Sequence, residues 1–155
     1  MDESLLRPTI PADSAPAGAD GGTNGKVRRP WNPDSLAYPA VFGGALAATV
    51  LGLVNSRRLG LGARAMIAIA GIGALAIAGR VLAFAFLDLT GHSLGALSGV
   101  AVWGVTLLVQ KPAYRAFLYR QQEPASLLGP GLVAAIVCGL VEGALTITVL
   151  LGWWP

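Results

Sequence analysis

Charged side chains are scarce. Asp, Glu, Lys and Arg make up 12% of the 155 residues, where a soluble globular domain carries about a quarter. Histidine occurs once and cysteine once. A single thiol, Cys138, cannot close an intrachain disulfide, so the redox compartment is not legible from it. Paired His or Cys at metal-ligand spacing and a Gly-rich phosphate loop are also missing. A haem or quinone site would normally want more histidines near the ends of apolar segments. These shortages argue against catalysis, a metal and a resident cofactor. The net charge of +3 says little about nucleic acid, because the basic residues are spread over short stretches and form no single face.

What is abundant is apolar. Residues of that kind make up 54% of the chain, and glycine alone supplies 21 positions. Small residues at this density suit membrane helices, whose backbones they let approach closely. Residues 1–36 are the exception. They are rich in Pro, Gly, Ala, Asp and Ser and poor in large apolar side chains. Such a stretch cannot bury enough surface to offset the entropy of ordering, and it is expected to be a disordered tail. Its acidic start, Asp2 and Glu3, does not resemble a secretory signal.

Four apolar runs follow over 37–154, at about 38–54, 65–87, 93–109 and 131–153. At about 1.5 Å per residue each can cross a hydrocarbon core of roughly 30 Å, the first and third only just. None shows a polar face at helical period, which a soluble bundle would need. The expected fold is all-α: an integral membrane bundle of four transmembrane helices. Every run carries small residues four apart, suited to close packing: Gly44, Ala48 and Gly52; Ala70, Ala74 and Ala78; Gly95 and Gly99; Gly139 and Gly143. The same stripes could receive a second copy or a larger membrane complex. The expected surroundings are the lipid bilayer, with no nucleic acid.

Connecting segments 55–64 and 110–130 hold Arg57, Arg58, Arg64, Lys111, Arg115 and Arg120, while 88–92 holds no Lys or Arg. With four crossings the positive-inside rule places both basic connections in the cytoplasm and both termini outside. Lys26, Arg28 and Arg29 pull the other way and would hold the N-terminal tail inside. Tyr38, Trp153 and Trp154 suit the outer interface, and Trp31 fits there too. Within 110–130, Pro112 suits the first position of a short amphipathic helix. Tyr114, Phe117 and Leu118 would form its apolar side; alternatively the third span runs on past the membrane.

Two charges fall inside the runs. Arg80 lies about 22 Å along the second and Glu142 about 17 Å along the fourth, counted from the same side. Either charge alone at a helix centre costs about 2.5–3.5 kcal/mol on insertion scales. A depth difference of about 5 Å is within an arginine's reach, so an intramembrane pair is expected, with a structural or a proton- or ion-coupling role. Asp88 is a rival partner for Arg80, and His92 could join a relay at the outer mouth. Glu142 could instead be held neutral by desolvation.

At "VFGGALAATVLGLVNSRRLGLGARA" and "LLVQKPAYRAF" the chain resembles a group of small bacterial membrane proteins. In these an F-G-G-x-L-A stretch opens the first span, an N-x-[RK]-x-L-G stretch closes it, and a Gln-Lys pair follows the third. Arg57 stands at the basic position here, and the long N-terminal tail is a departure. The resemblance implies a bacterial plasma-membrane protein of unassigned activity: a non-enzymatic structural or accessory component, or a small transporter or channel subunit using Glu142 and Arg80.

Overall fold

The computed structural model describes residues 29–87, 92–120 and 123–152. Of the tail, residues 1–28 lie outside the described residues. A short 3-10 helix, Pro33–Leu36, leads into α1, Ala37–Arg58; α2 is Ala63–Leu87, α3 His92–Tyr119 and α4 Leu128–Gly152. Among the described residues there is no strand, only one isolated bridge between Trp31 and Ala125. All four helices are long and apolar enough to cross a membrane. Their outward faces are apolar too, with Phe42, Ile67, Leu75, Leu108 and Leu140 exposed, as a hydrocarbon solvent permits and water does not.

α1 is broken in the middle. Gly44 has φ 70° and ψ −162°, a conformation that glycine adopts readily and other residues only under strain. The chain reverses there. A side chain on Gly43 would meet the Cβ of Ala47 at 2.6 Å, a contact no continuous helix makes four residues on. Leu36 and Leu51 share one core cluster with Trp31 and Leu127, although a straight helix would hold 36 and 51 about 22 Å apart. α1 is therefore a helical hairpin with legs 37–43 and 45–58. Half of its apolar window is buried, against 11% for α2, so the hairpin is the centre of the bundle.

Contacts with the neighbours fix the directions. Along α3, Gly99 packs on Ala40 and Gly44, Trp103 Nε1 donates to Pro33 O at 3.1 Å, and Gln110 meets Gly52 and Ser56. The first leg thus runs antiparallel to α3 and the second parallel to it. α4 runs alongside the first leg: Tyr38 O–H donates to Leu127 O at 2.9 Å and Leu128 O at 3.0 Å, Gly43 lies against Ala135, and Gly44 lies against Glu142. Both ends of α1 therefore lie at the end of the bundle where α2 and α4 begin.

Several expectations are corrected by this arrangement. Residues 29–36 are not part of a loose tail, since Trp31 and Leu36 are among the most buried side chains. Trp31 and Tyr38 sit at the end that carries the basic connections, not at the opposite one; Trp153 and Trp154 lie outside the described residues. The stripe Ala70, Ala74 and Ala78 faces outward, and α2 turns Ile69, Ile72, Gly73, Ala76 and Ile77 inward instead. Pro112 starts no separate helix, because α3 runs through it to Tyr119. Tyr114 is buried and stacks on Phe117 at 6.3 Å, while Leu118, Lys111, Arg115 and Arg120 are exposed.

Candidate functional site

A helix that breaks inside an apolar bundle leaves the first N–H groups of its second half without partners. Here the donor is Leu46 N–H, and its acceptor is Glu142 Oε1 at 2.7 Å. The other carboxylate oxygen, Oε2, accepts from Arg80 Nη1 at 2.6 Å. One carboxylate thus ties three elements: the second leg of α1, the middle of α2 and the middle of α4. It also supplies negative charge where the helix dipole is positive. The pair is well buried, with 17% of the Arg80 side chain exposed and 8% of Glu142. That is why an acid stands halfway along the most apolar helix of the bundle.

Glycines make the approach close enough. A methyl on Gly44 would strike the Glu142 carboxylate, and one on Gly95 would come within 3.1 Å of Arg80 Nη1. Gly99 lets α3 touch the Ala40 carbonyl, Gly52 admits Thr106, and a Cβ on Gly139 would meet Phe42 O at 3.4 Å. Gly143 is different: a Cβ there would meet nothing within 4 Å. It borders a cavity of about 670 Å³ that also touches Gly44, Arg80, Gly95, Glu142 and Thr146. Such a volume is in the range of small-molecule sites.

The tip of the hairpin lies about half the thickness of a hydrocarbon core from its open end. From Asn55 back to Gly44 the second leg rises about 16 Å, against a hydrocarbon core of roughly 30 Å. The pair and the inner part of the cavity lie at that depth.

The open end of the hairpin carries a second polar group that sequence reasoning missed. Asn55 is fully buried. Its Oδ1 accepts from Trp31 N–H at 2.7 Å, and its Nδ2 donates to Gln110 Oε1 at 2.7 Å and Trp31 O at 3.2 Å. Gln110 Nε2 donates to Gly52 O at 2.7 Å and Ser56 Oγ at 2.9 Å. The Arg58 guanidinium covers the Trp31 ring at 3.7 Å, a cation–π contact, and donates to Arg29 O at 3.1 Å. Ala125 N–H donates to Pro30 O at 3.0 Å. This clasp shuts the hairpin and ties it to the connection before α4. Asn55 and Gln110 stand at the ends of apolar runs, where they read as solvated loop residues.

Asp88 lies outside the described residues, and of His92 only its place at the start of α3 is described. Arg57, Arg64, Lys111, Arg115 and Arg120 are exposed at the basic end. No group of three metal-ligating side chains occurs among the described residues. One motif was passed over in the sequence: GHSLG at 91–95 spells G-x-S-x-G. The nucleophile elbow that uses this spelling needs a strand before the serine, and the element before it here is helix α2.

No family model, no curated protein and no solved structure matches the chain.

Proposed function

We propose that the protein is a non-enzymatic integral component of the bacterial plasma membrane, organised around a hairpin that enters the bilayer halfway and returns. What supports this is one observation: both oxygens of Glu142 are taken up in fastening the hairpin turn, one by Leu46 N–H and one by Arg80. A buried carboxylate engaged in this way fixes register and depth. Truncating one partner of such a pair costs about 3–5 kcal/mol, while replacing both by matched apolar groups can be near neutral. The reading is therefore of an accessory or scaffolding protein that acts through the surfaces it offers to lipid, to a second copy or to other membrane proteins.

The hairpin sets the orientation we propose. Both ends of α1 lie at the end that holds Arg57, Arg58, Arg64, Lys111, Arg115 and Arg120, and Arg29 joins them there. The positive-inside rule makes that end cytoplasmic. α2, α3 and α4 then cross fully, residue 29 lies inside and residue 152 outside.

A second reading, a small transporter or channel subunit, rests on the cavity that Arg80 and Glu142 border. Broken helices at membrane depth line the binding sites of many transporters. One experiment separates the two. Glu142→Gln, Arg80→Gln and the double variant are compared for unfolding in detergent and for proton and ion flux in liposomes. The structural reading expects each single change to destabilise by about 3 kcal/mol or more, the double change to recover part of the loss, and no flux from any form. A wild-type flux that vanishes in a still-stable Glu142→Gln variant would overturn it.

A further inference from the structure

The basic end of the bundle is ordered by depth. A Cβ on Gly52 would lie 3.0 Å from Thr106 Cγ2 and 3.3 Å from Ile69 Cγ2, so these residues form one layer of α1, α2 and α3. The second leg of α1 runs parallel to α3. α2 runs against both, since Gly73 lies on Thr49. Arg57, Arg64 and Lys111 therefore each stand five positions beyond that layer toward the basic end, a rise of about 7.5 Å. All three are exposed. One turn deeper on each helix is an exposed apolar side chain: Val54, Ile67 and Leu108. Three helices thus change from bare apolar to basic at the same level, within about 4.5 Å of rise.

That step matches the bilayer, whose headgroup layers add about 5–8 Å on each side of the hydrocarbon. α3 takes it furthest. Arg115 follows Lys111 by four positions on the same exposed face, then Leu118 and Tyr119 are exposed again, Tyr119 at 87%. Arg115, Leu118 and Tyr119 border a cavity of about 310 Å³. Like charges four apart on a helix repel each other, and an anion beside both removes that cost. The protein supplies none there. Besides Glu142, the described carboxylates are Asp34 and Glu123, and neither pairs with Arg57, Arg64, Lys111, Arg115 or Arg120. We infer that this end of the bundle binds acidic phospholipids, with Lys111 and Arg115 as the main headgroup contacts and the acyl chains against Leu108. The bare apolar turn below the cations selects a lipid over a free anion. The inference rests on the membrane reading proposed above and is independent of sidedness.

The test places the full chain in nanodiscs of equimolar phosphatidylcholine and phosphatidylglycerol with identical acyl chains. Native mass spectrometry identifies the most tightly retained lipid. Wild type is expected to retain phosphatidylglycerol in preference. Lys111→Gln and Arg115→Gln should each lower that preference by about fivefold, the share of one basic residue at an acidic surface. Lys111→Arg and Arg115→Lys keep the charge and should keep the preference. All four positions of change are exposed, so melting should follow the wild type. Arg120→Gln removes the same charge above a half-buried Phe117 and should leave the preference unchanged. An inserted wild type that retains the two lipids in their supplied ratio would overturn this inference and leave the membrane reading standing. So would an Arg120→Gln effect equal to that of Lys111→Gln, which would mean diffuse net charge. A chain that does not enter nanodiscs at all would overturn both readings.

Discussion

Adding one methyl group at Gly44 probes the whole arrangement. Gly44→Ala forces an L residue into φ 70°, ψ −162°, at about 1–3 kcal/mol of backbone strain. The new Cβ also lands on the Glu142 carboxylate, which has to move. Leu46 N–H then loses its acceptor in a buried setting, at about 1–3 kcal/mol. Together the two effects predict a loss of about 2–6 kcal/mol, before any change at Arg80 is counted. Gly139→Ala is the matched control. Its Cβ would meet Phe42 O at 3.4 Å and Gly43 Cα at 3.8 Å, ordinary contacts, and alanine in a helix interior gains about 0.5–1 kcal/mol over glycine. The two variants should therefore move in opposite directions when unfolding is titrated with SDS from mild detergent and followed by circular dichroism. If Gly44→Ala is as stable as Gly139→Ala, the hairpin turn described here is wrong.

The clasp and the orientation give two further predictions. Gln110→Leu strips Asn55 Nδ2, Ser56 Oγ and Gly52 O of a buried partner and should cost at least about 2 kcal/mol in the same titration; an unchanged midpoint would show that the clasp contributes nothing. Single cysteines placed in a Cys138→Ala background at Asp34, Gly62 and Ser126 should react with a membrane-impermeant thiol reagent from one side of sealed vesicles, and one at Gly152 from the other. Asp34→Cys reacting from the same side as Gly152→Cys would refute the proposed course of α1.

The four apolar helices were legible because hydropathy summed over a whole segment outweighs local detail. The Arg80–Glu142 contact was legible for a similar reason: helical rise converts position into depth, and two costly charges at nearby depths seek each other. The turn at Gly44 was not. Glycine serves close packing and positive φ equally well, and "GGALAATVLG" fits a packing stripe as readily as a reversal. The bond from Leu46 N–H was hidden for a different reason, since a backbone donor leaves no mark on side-chain pattern until the helix is known to break. The expected separation of residues near Arg29 from the first basic connection changed in consequence. Counting each apolar run as a crossing put residues near Arg29 opposite Arg57 and Arg58, whereas the fold places the Arg29 carbonyl 3.1 Å from Arg58 Nη1. The outward-facing Ala70, Ala74 and Ala78 failed through symmetry: α2 is apolar all round, so composition could not say which face turns inward.

The link from Leu46 to Glu142 also orders events in time. The two residues are 96 positions apart, and a ribosome adding about 5–20 residues per second needs roughly 5–20 s to make that stretch. Until then the amide exposed by the Gly44 turn has no carboxylate to accept it, and hydrocarbon supplies no substitute. The first apolar segment to be made is thus the last that can settle at its final depth. It has to wait near the membrane surface, or in a protected compartment of the insertion machinery, until α4 arrives. Slowing synthesis between α1 and α4 would lengthen that exposed interval and raise the fraction of chains lost to degradation, with the mature fold and its stability untouched.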